Sequence, residues 1–319
     1  MGQLVNGKWE INPVFVKDAD GRFRRKDAAF RDWIKADGST PYTPEAGRYH
    51  LYIANACPWA HRTMIFRKLR QLEDVISISI VDTLMFDNGW RFRDGEGYIP
   101  DTVNEKDFMH EVYTAADPTF TGRVTVPVLW DKKTGTIVNN ESSEIIRMLN
   151  SEFSTIAAPG TDYYPEHLRA DIDEINERIY HTVNNGVYKS GFARSQDAYE
   201  EAVTELFDTL DMLEDRLDKQ RYLVGEQITE ADWRLFTTLV RFDPVYVGHF
   251  KCNLKRIVDY PNLSNYLREL YQVPGVTDTV DLAQIKEHYY SSHESVNPSR
   301  VVPVGPEINY DQPHNRDRF

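Results

Sequence analysis

The feature that most constrains the fold is a cysteine–proline step between a strand and a helix. Tyr49-His50-Leu51-Tyr52-Ile53-Ala54 reads as a strand, and Trp59 to Leu72 as a helix with a basic face. Cys57-Pro58 stands at their junction. Proline suits a first helical position, because the N–H it lacks has no partner there and its fixed φ is already helical. Val75-Ile76-Ser77-Ile78-Ser79-Ile80-Val81 alternates at period two and gives a second strand. Strand, helix and strand so close together form a βαβ unit.

The rest of the chain extends that unit. Val124 to Trp130 supplies a third strand with Pro127 inside it, Lys132-Lys133-Thr134-Gly135 a hairpin turn, and Thr136-Ile137-Val138 a short fourth strand. Glu141 to Leu149 follows as a helix, its apolar Ile145, Ile146 and Leu149 recurring every three to four positions. The order β-α-β, interruption, β-β-α is that of a thioredoxin-like α/β domain. The interruption, Thr83 to Arg123, carries Gly89, Gly95 and Gly97 and one expected helix near Glu105 to Ala115. Inserts of this length in a compact domain are commonly functional.

Beyond about residue 155 strand signals cease and helices take over. Leu168, Ile172, Ile175 and Ile179 form one stripe within Pro165 to Val183, and Ala202, Leu206, Leu210, Leu213 and Leu217 another within Asp197 to Leu217. Thr229-Glu230-Ala231-Asp232 opens a further helix as a capping box, and Asn262 to Tyr271 is stopped by Pro274-Gly275. The expected domains are an N-terminal extension over 1–45, a thioredoxin-like domain over 46–155 with its insertion at 83–123, an all-helical domain over 156–290, and a tail over 291–319. Within the extension, Ala28 to Ile34 is expected to form a short helix, and Arg24, Arg25 and Lys26 read as a solvated basic loop or an anion site.

Charge narrows the function. Lys and Arg number 37 against 50 Asp and Glu, a net −13, which disfavours binding to phosphate backbones and so nucleic acid. No run of apolar residues is long enough for a membrane span, and the first residues lack the layout of a secretory signal. Two cysteines in 319 residues make no disulfide framework, pointing to a reducing, cytoplasmic setting.

Cys57 is the candidate nucleophile. Unpaired N–H groups and the dipole at the start of a helix favour an anion, so a thiol there is expected to ionise more readily, helped by Arg62 and His61. The alternative is an inert core cysteine. A dithiol oxidoreductase would carry a second cysteine three positions on, where this chain has Ala60. Cys252, in His249-Phe250-Lys251-Cys252, reads as a core or surface residue. A lone thiolate that forms a mixed disulfide needs an external thiol to resolve it, and in a reducing cytosol glutathione is the abundant candidate. A cis bond before Pro127 would turn the Val126 backbone outward to pair with a peptide; an ordinary edge-strand proline is the other reading. Glu141-Ser142, opening a helix, suits a carboxylate and an ammonium group, though alone it is only a capping segment.

In that order these pieces resemble the glutathione transferase superfamily, and within it the Xi class, the glutathionyl-hydroquinone reductases. The resemblance runs through Met1-Gly2-Gln3-Leu4, Cys57-Pro58-Trp59-Ala60-His61-Arg62, Asn88-Gly89-Trp90, Gly122-Arg123-Val124-Thr125-Val126-Pro127, Asn140-Glu141-Ser142, Asn184-Asn185-Gly186-Val187-Tyr188-Lys189, Arg241-Phe242-Asp243-Pro244-Val245-Tyr246 and His288-Tyr289. It implies that Cys57 attacks the sulfur of a glutathionyl-hydroquinone, releases the hydroquinone, and is regenerated by a second glutathione. It implies that Trp90, Arg123, Val126, Glu141 and Ser142 hold glutathione, that Tyr188, Tyr246 and Tyr289 hold the hydroquinone, with Tyr188 and Tyr289 acting in catalysis, and that the chain is a homodimer with its C-terminal segment at the interface.

A general thiol transferase or dehydroascorbate reductase would share Cys57 without needing a tyrosine-lined pocket. Retention of the whole peptide-binding set argues against a non-catalytic binding protein. A conjugating transferase would use a serine or tyrosine in place of Cys57. The nine histidines are scattered without a metal-binding spacing, so no metal is expected.

Overall fold

A computed structural model describes residues 2–11, 20–157 and 159–319. Met1 of the first motif and stretch 12–19 of the expected extension therefore lie outside the described residues, as does Ala158. The chain divides into two compact units, one of residues 1–15 and 27–161, the other of residues 16–26 and 162–319. The expected extension over 1–45 is thus shared between the two.

The first unit is built on a four-stranded sheet. Its strands are β3 (Tyr49–Ile53), β4 (Ser77–Ile80), β5 (Val128–Asp131) and β6 (Thr136–Asn139), following the hairpin β1 (Gly2–Val5) and β2 (Lys8–Ile11). The sheet order is β4-β3-β5-β6, with β3 and β4 parallel and β5 antiparallel to both of its neighbours. Helix α1 (Pro58–Leu69) makes the β3-to-β4 crossover, and α3 (Ser142–Ser151) packs beside it. Every residue of β3 is buried, as are Ile65 and Phe66 of α1 and Ile145, Ile146 and Leu149 of α3. Pro127 stands just before β5 rather than inside a strand, so its missing N–H removes no ladder bond from β5.

Ala28 to Ile34 forms no helix. The segment lies extended beside β6, where Arg31 bridges Asn139, the Asp32 N–H donates to the Val138 carbonyl at 3.0 Å and the Asn140 N–H to the Phe30 carbonyl at 3.1 Å. The open edge of β6 offers these bonds, and they outweigh a weak helical preference. Farther back, Leu4 of β1 pairs with Gly122 through N–H···O bonds of 3.0 and 2.9 Å, tying the hairpin to the end of the insertion. The insertion itself contains α2 (Met109–Ala116), which begins four residues later than its expected start.

The second unit is helical: α4 (Arg169–Ile179), α5 (Gly186–Gly191), α6 (Gln196–Leu217), α7 (Glu230–Arg241), the single turn α8 (Val247–His249), α9 (Pro261–Tyr271) and α10 (Leu282–Ser292). The Thr229–Asp232 capping box is present at the start of α7. Two π-turns, Tyr180–Asn184 and Phe242–Tyr246, interrupt the helical phase before α5 and α8, and neither is visible as a break in the sequence pattern. Helix α10 likewise lacks a clear apolar stripe. Arg316, fully buried near the end of the tail, donates to the carbonyls of Leu217, Gln220 and Arg221.

A buried ion pair locks the β5–β6 hairpin to the start of β3. Arg48 forks onto Asp131 through bonds of 2.8 and 2.7 Å, and Thr134 and the Lys133 N–H complete the carboxylate. Burial pushes the Asp131 carboxyl up, but Arg48, Thr134 and Lys133 together hold it below its usual range. Removing the cation leaves a buried carboxylate uncompensated, so Arg48→Leu is expected to lower stability by about 3–5 kcal/mol. Urea unfolding of the two proteins side by side measures this; a loss near zero would assign the pair no net role.

Candidate active site

The thiol site is assembled within the first unit. Cys57 is the N-cap of α1, with φ −78° and ψ 120°, and Pro58 takes the first helical position. The side chain makes no capping bond back to its own helix and the first turn carries no acidic residue. The half-buried thiol donates instead to the Val126 carbonyl at 3.5 Å. An ionised sulfur here would meet the positive end of the helix with no carboxylate in that turn to oppose it. Neither cysteine is in a disulfide. Cys252 is fully buried, and burial pushes its thiol up to about 12, which makes it inert at neutral pH.

Val126 and Pro127 are joined by a cis peptide bond. Glu141 is the N-cap of α3, and its Oε1 accepts the Ser143 N–H at 3.0 Å and the Ser143 hydroxyl at 2.8 Å. Ser142, buried in the first turn, accepts from Arg62 Nη1 at 3.3 Å. That guanidinium also lies 4.6 Å from the Trp59 ring centroid. Arg62 is therefore a buried brace between α1 and α3. Cys57, Val126, Ser142 and Arg62 are thus brought together by the first turns of two helices and the approach to β5.

Trp90 and Arg123 are held by different devices at the two ends of the insertion. Trp90 is buried, and its carbonyl accepts the Met109 N–H at the start of α2 at 2.9 Å. Arg123 is exposed and directly follows Gly122, the residue pinned to β1. A residue not singled out from the sequence is Tyr113 of α2, whose buried hydroxyl bonds to the residues preceding Val126 and Glu141. Nothing in its local pattern distinguishes it from a core tyrosine.

The aromatic site lies in the second unit. Tyr289 of α10 sits between Tyr188 of α5 and Tyr246 at the end of the second π-turn, with hydroxyl separations of 2.6 and 3.1 Å. The three tyrosines are thus brought together from distant parts of the sequence. Tyr246 and Tyr289 are fully buried and Tyr188 nearly so. Burial drives the Tyr246 and Tyr289 phenols well above their usual range, so both keep their protons and act as hydrogen-bond donors. Linked hydroxyls in a low-dielectric pocket polarise one another, which strengthens the donor at the end of the chain.

Arg25 is packed rather than a solvated loop cation. Its Nε donates to Asn185 Oδ1 at 2.8 Å, and its guanidinium lies 4.9 Å from the Tyr188 ring centroid, while Phe23 stacks on the same ring. Arg24 pairs with Asp20, as the sequence proximity of opposite charges would allow. Behind Tyr289, His249 and His293 share a hydrogen bond of 3.1 Å, both buried. Among the described residues no group of three or more His, Cys, Asp or Glu could hold a metal ion, and no helix is long and apolar enough to cross a membrane.

Comparison with known proteins gives a consistent family pattern. Residues 56–152 match the model of the glutathione S-transferase N-terminal domain and residues 196–269 that of the C-terminal domain. The chain is 53% identical over 324 residues to the glutathionyl-hydroquinone reductase YqjG of Escherichia coli (strain K12), covering 99% of each. The glutathione-bound structure of that protein superposes with a TM-score of 0.91 over the whole of both chains, at 51% identity. This chain is also 54% identical over 306 residues to the glutathionyl-hydroquinone reductase PcpF of Sphingobium chlorophenolicum, covering 96% of each. A Xi class glutathione transferase from Natrialba magadii superposes with a TM-score of 0.94 at 48% identity, covering 100% of this chain and 97% of that one.

The histidine pair makes the second unit sensitive to acid. Burial lowers the His249 imidazole from 6.5 to about 4, with Lys251 and His288 adding to the effect, and burial pushes His293 well down too. Below pH 6.5 the unfolded chain takes up protons that the folded pair refuses, so the contribution is full above 6.5 and lost as pH falls toward 4. Urea midpoints across that range should fall with acidification, and fall less steeply in His249→Gln/His293→Gln. An equally steep fall in the variant would place the acid sensitivity elsewhere.

Proposed function

The chain belongs to the Xi class of the glutathione transferase superfamily, the glutathionyl-hydroquinone reductases, and on that premise we propose that Cys57 is the nucleophile of its reaction. The enzyme is a glutathione-dependent reductase of S-glutathionyl-hydroquinones. In the proposed route the Cys57 thiolate attacks the glutathionyl sulfur. The hydroxyl beside the thioether passes its proton to the sulfur-bearing carbon and becomes a carbonyl; a sulfur–sulfur bond then forms as the carbon–sulfur bond breaks, its electron pair passing through the ring to that oxygen, which takes a proton to complete the hydroquinone. A second glutathione, as thiolate, then attacks the Cys57–glutathione disulfide, releasing oxidised glutathione and the thiolate of Cys57. The sum is glutathionyl-hydroquinone plus glutathione giving hydroquinone plus oxidised glutathione.

The observation that carries this reading is the thiol of Cys57 at the N-cap of α1, 3.5 Å from the Val126 carbonyl. Sulfur and peptide backbone stand side by side, as a nucleophile that takes its substrate from a tripeptide requires. Val126 supplies backbone pairing to glutathione in this proposal, and Ser142 with the α3 N-terminus takes its γ-glutamyl carboxylate. Glu141 receives the ammonium group, and it makes its bonds to Ser143 through Oε1 alone. Arg123 pairs with the glycyl carboxylate, and Trp90 forms a wall of the site. Tyr188, Tyr246 and Tyr289 take the hydroquinone, the linked hydroxyls of Tyr188 and Tyr289 stabilising the negative charge that develops on its oxygens. Their shared hydroxyl network and the protonated state of the buried phenols support that role.

The proposal extends to a cytoplasmic homodimer. A reducing compartment supplies the glutathione that the cycle consumes. Val301, Val302 and Val304 in the tail expose apolar side chains, Val304 completely, that a second copy would cover. Light scattering at micromolar concentration should return twice the 37.1 kDa chain mass; a monomer would remove this part of the proposal.

Glutathione-dependent release of hydroquinone from a glutathionyl-hydroquinone, with Cys57→Ala beside the unaltered enzyme, tests the nucleophile. Turnover should vanish in the variant, and turnover that survives would exclude Cys57 from this role. Tyr188→Phe and Tyr289→Phe should each slow hydroquinone release by about ten-fold or more while slowing reduction of a small mixed disulfide less. Equal losses on both substrates would count against assistance to the leaving group and favour a general thiol transferase.

A further inference from the structure

We infer that Tyr113, on the insertion helix α2, is the positioning residue that sets the spacing between the two segments gripping glutathione. The inference rests on the reading in which Val126 and the Glu141–Ser142 turn bind the tripeptide. The Tyr113 hydroxyl donates to the Thr125 carbonyl at 2.9 Å and accepts from Asn140 Nδ2 at 3.0 Å and from the Thr125 N–H at 3.2 Å. Thr125 immediately precedes Val126, and Asn140 immediately precedes Glu141. One oxygen therefore joins the backbone approaching β5 to the cap of α3, each one residue from a proposed glutathione contact.

The tie is rigid for physical reasons. Tyr113 has no exposed surface, and burial raises its phenol, so the proton stays on the oxygen and the donor role is fixed. Phe30 meets its ring edge-on at 5.8 Å between centroids, and Phe120 lies tilted against it at 5.2 Å. Asn140 is fixed from its other side, its Oδ1 accepting the Phe30 N–H at 3.0 Å. A tripeptide spanning Val126 and Glu141 must match one separation between them. With the hydroxyl in place that separation is set before binding, and the ordering cost is not drawn from the affinity. The insertion between β4 and β5 thus contributes, besides Trp90 and Arg123 at its ends, a device buried at its middle.

Tyr113→Phe keeps the ring and its packing while deleting the tie, leaving the Asn140 amide and the Thr125 N–H without that acceptor. Calorimetric titration with glutathione should give a Kd raised about five- to twenty-fold. The kcat at saturating glutathione and glutathionyl-hydroquinone should stay within about two-fold, since Cys57 and the tyrosines are untouched. Asn140→Asp is the second variant, and it serves alone should the first not fold. Its carboxylate draws the Tyr113 proton away from the Thr125 carbonyl without a change of volume, and should raise the same Kd. An unchanged Kd in a folded variant, whatever its melting temperature, would make Tyr113 a core residue and overturn the inference. Ser142→Ala, titrated alongside, separates the two levels. Weakening in Ser142→Ala with none in Tyr113→Phe defeats the inference alone, whereas no weakening in either defeats the reading of the glutathione grip beneath it.

Discussion

The first turn of α1 leaves backbone N–H groups that its own helix cannot satisfy, and the first unit is organised around that end. Cys57 occupies the cap without bonding back to the helix, so the polarity of the terminus faces the thiol and the neighbouring Val126 carbonyl. The beginning of α3 lies nearby, linked to α1 through Arg62 and Ser142. Two helix N-termini and the approach to one strand thus converge on a small volume suited to negative charge and to a peptide backbone. The sheet behind them is the platform for this, and its deeply buried Arg48–Asp131 fork fixes the strand that Val126 leads into.

Much of this was legible in the chain. The Cys57–Pro58 step, the period-two run of β4 and the hairpin turn at Lys132–Gly135 are local signals, and local signals survive translation into three dimensions. Element ends moved by a few residues where tertiary bonds, rather than propensity, decide where a strand stops. The failures share a cause. Ala28 to Ile34 carries a helical composition, but an unpaired edge more than a hundred residues away offered its backbone a better arrangement. The two π-turns and helix α10 leave no periodic mark, because each depends on packing against partners distant in sequence.

The site divides along the same line. Cys57, Val126, Glu141 and Ser142 each carry a mark in their immediate neighbours, and their convergence follows from the fold. Tyr188, Tyr246 and Tyr289 carry none that separates them from the chain's other tyrosines; family resemblance alone singled them out, and the structure unites them through their hydroxyls. Arg25 stood out only as part of a basic run, which does not show its packing on the face of the Tyr188 ring, and Tyr113, bonded to the Thr125 backbone and the Asn140 side chain, carries no motif of its own. Residues of this kind are found from coordinates and not from motifs.

The extended run beside β6 has a consequence for how this chain can be trimmed. On sequence grounds the first forty or so residues look dispensable, since they precede the domain proper. Yet Phe30 and Asp32 occupy backbone positions that β6 would otherwise present as a row of unpaired donors and acceptors. Such a row recruits any other extended strand, including the same edge of another molecule. A shortened version would keep Cys57, Val126, Glu141 and Ser142 while acquiring a tendency to polymerise edge to edge. The leading segment is in that sense a built-in guard on the sheet edge, and a deletion made at the apparent domain boundary would remove it.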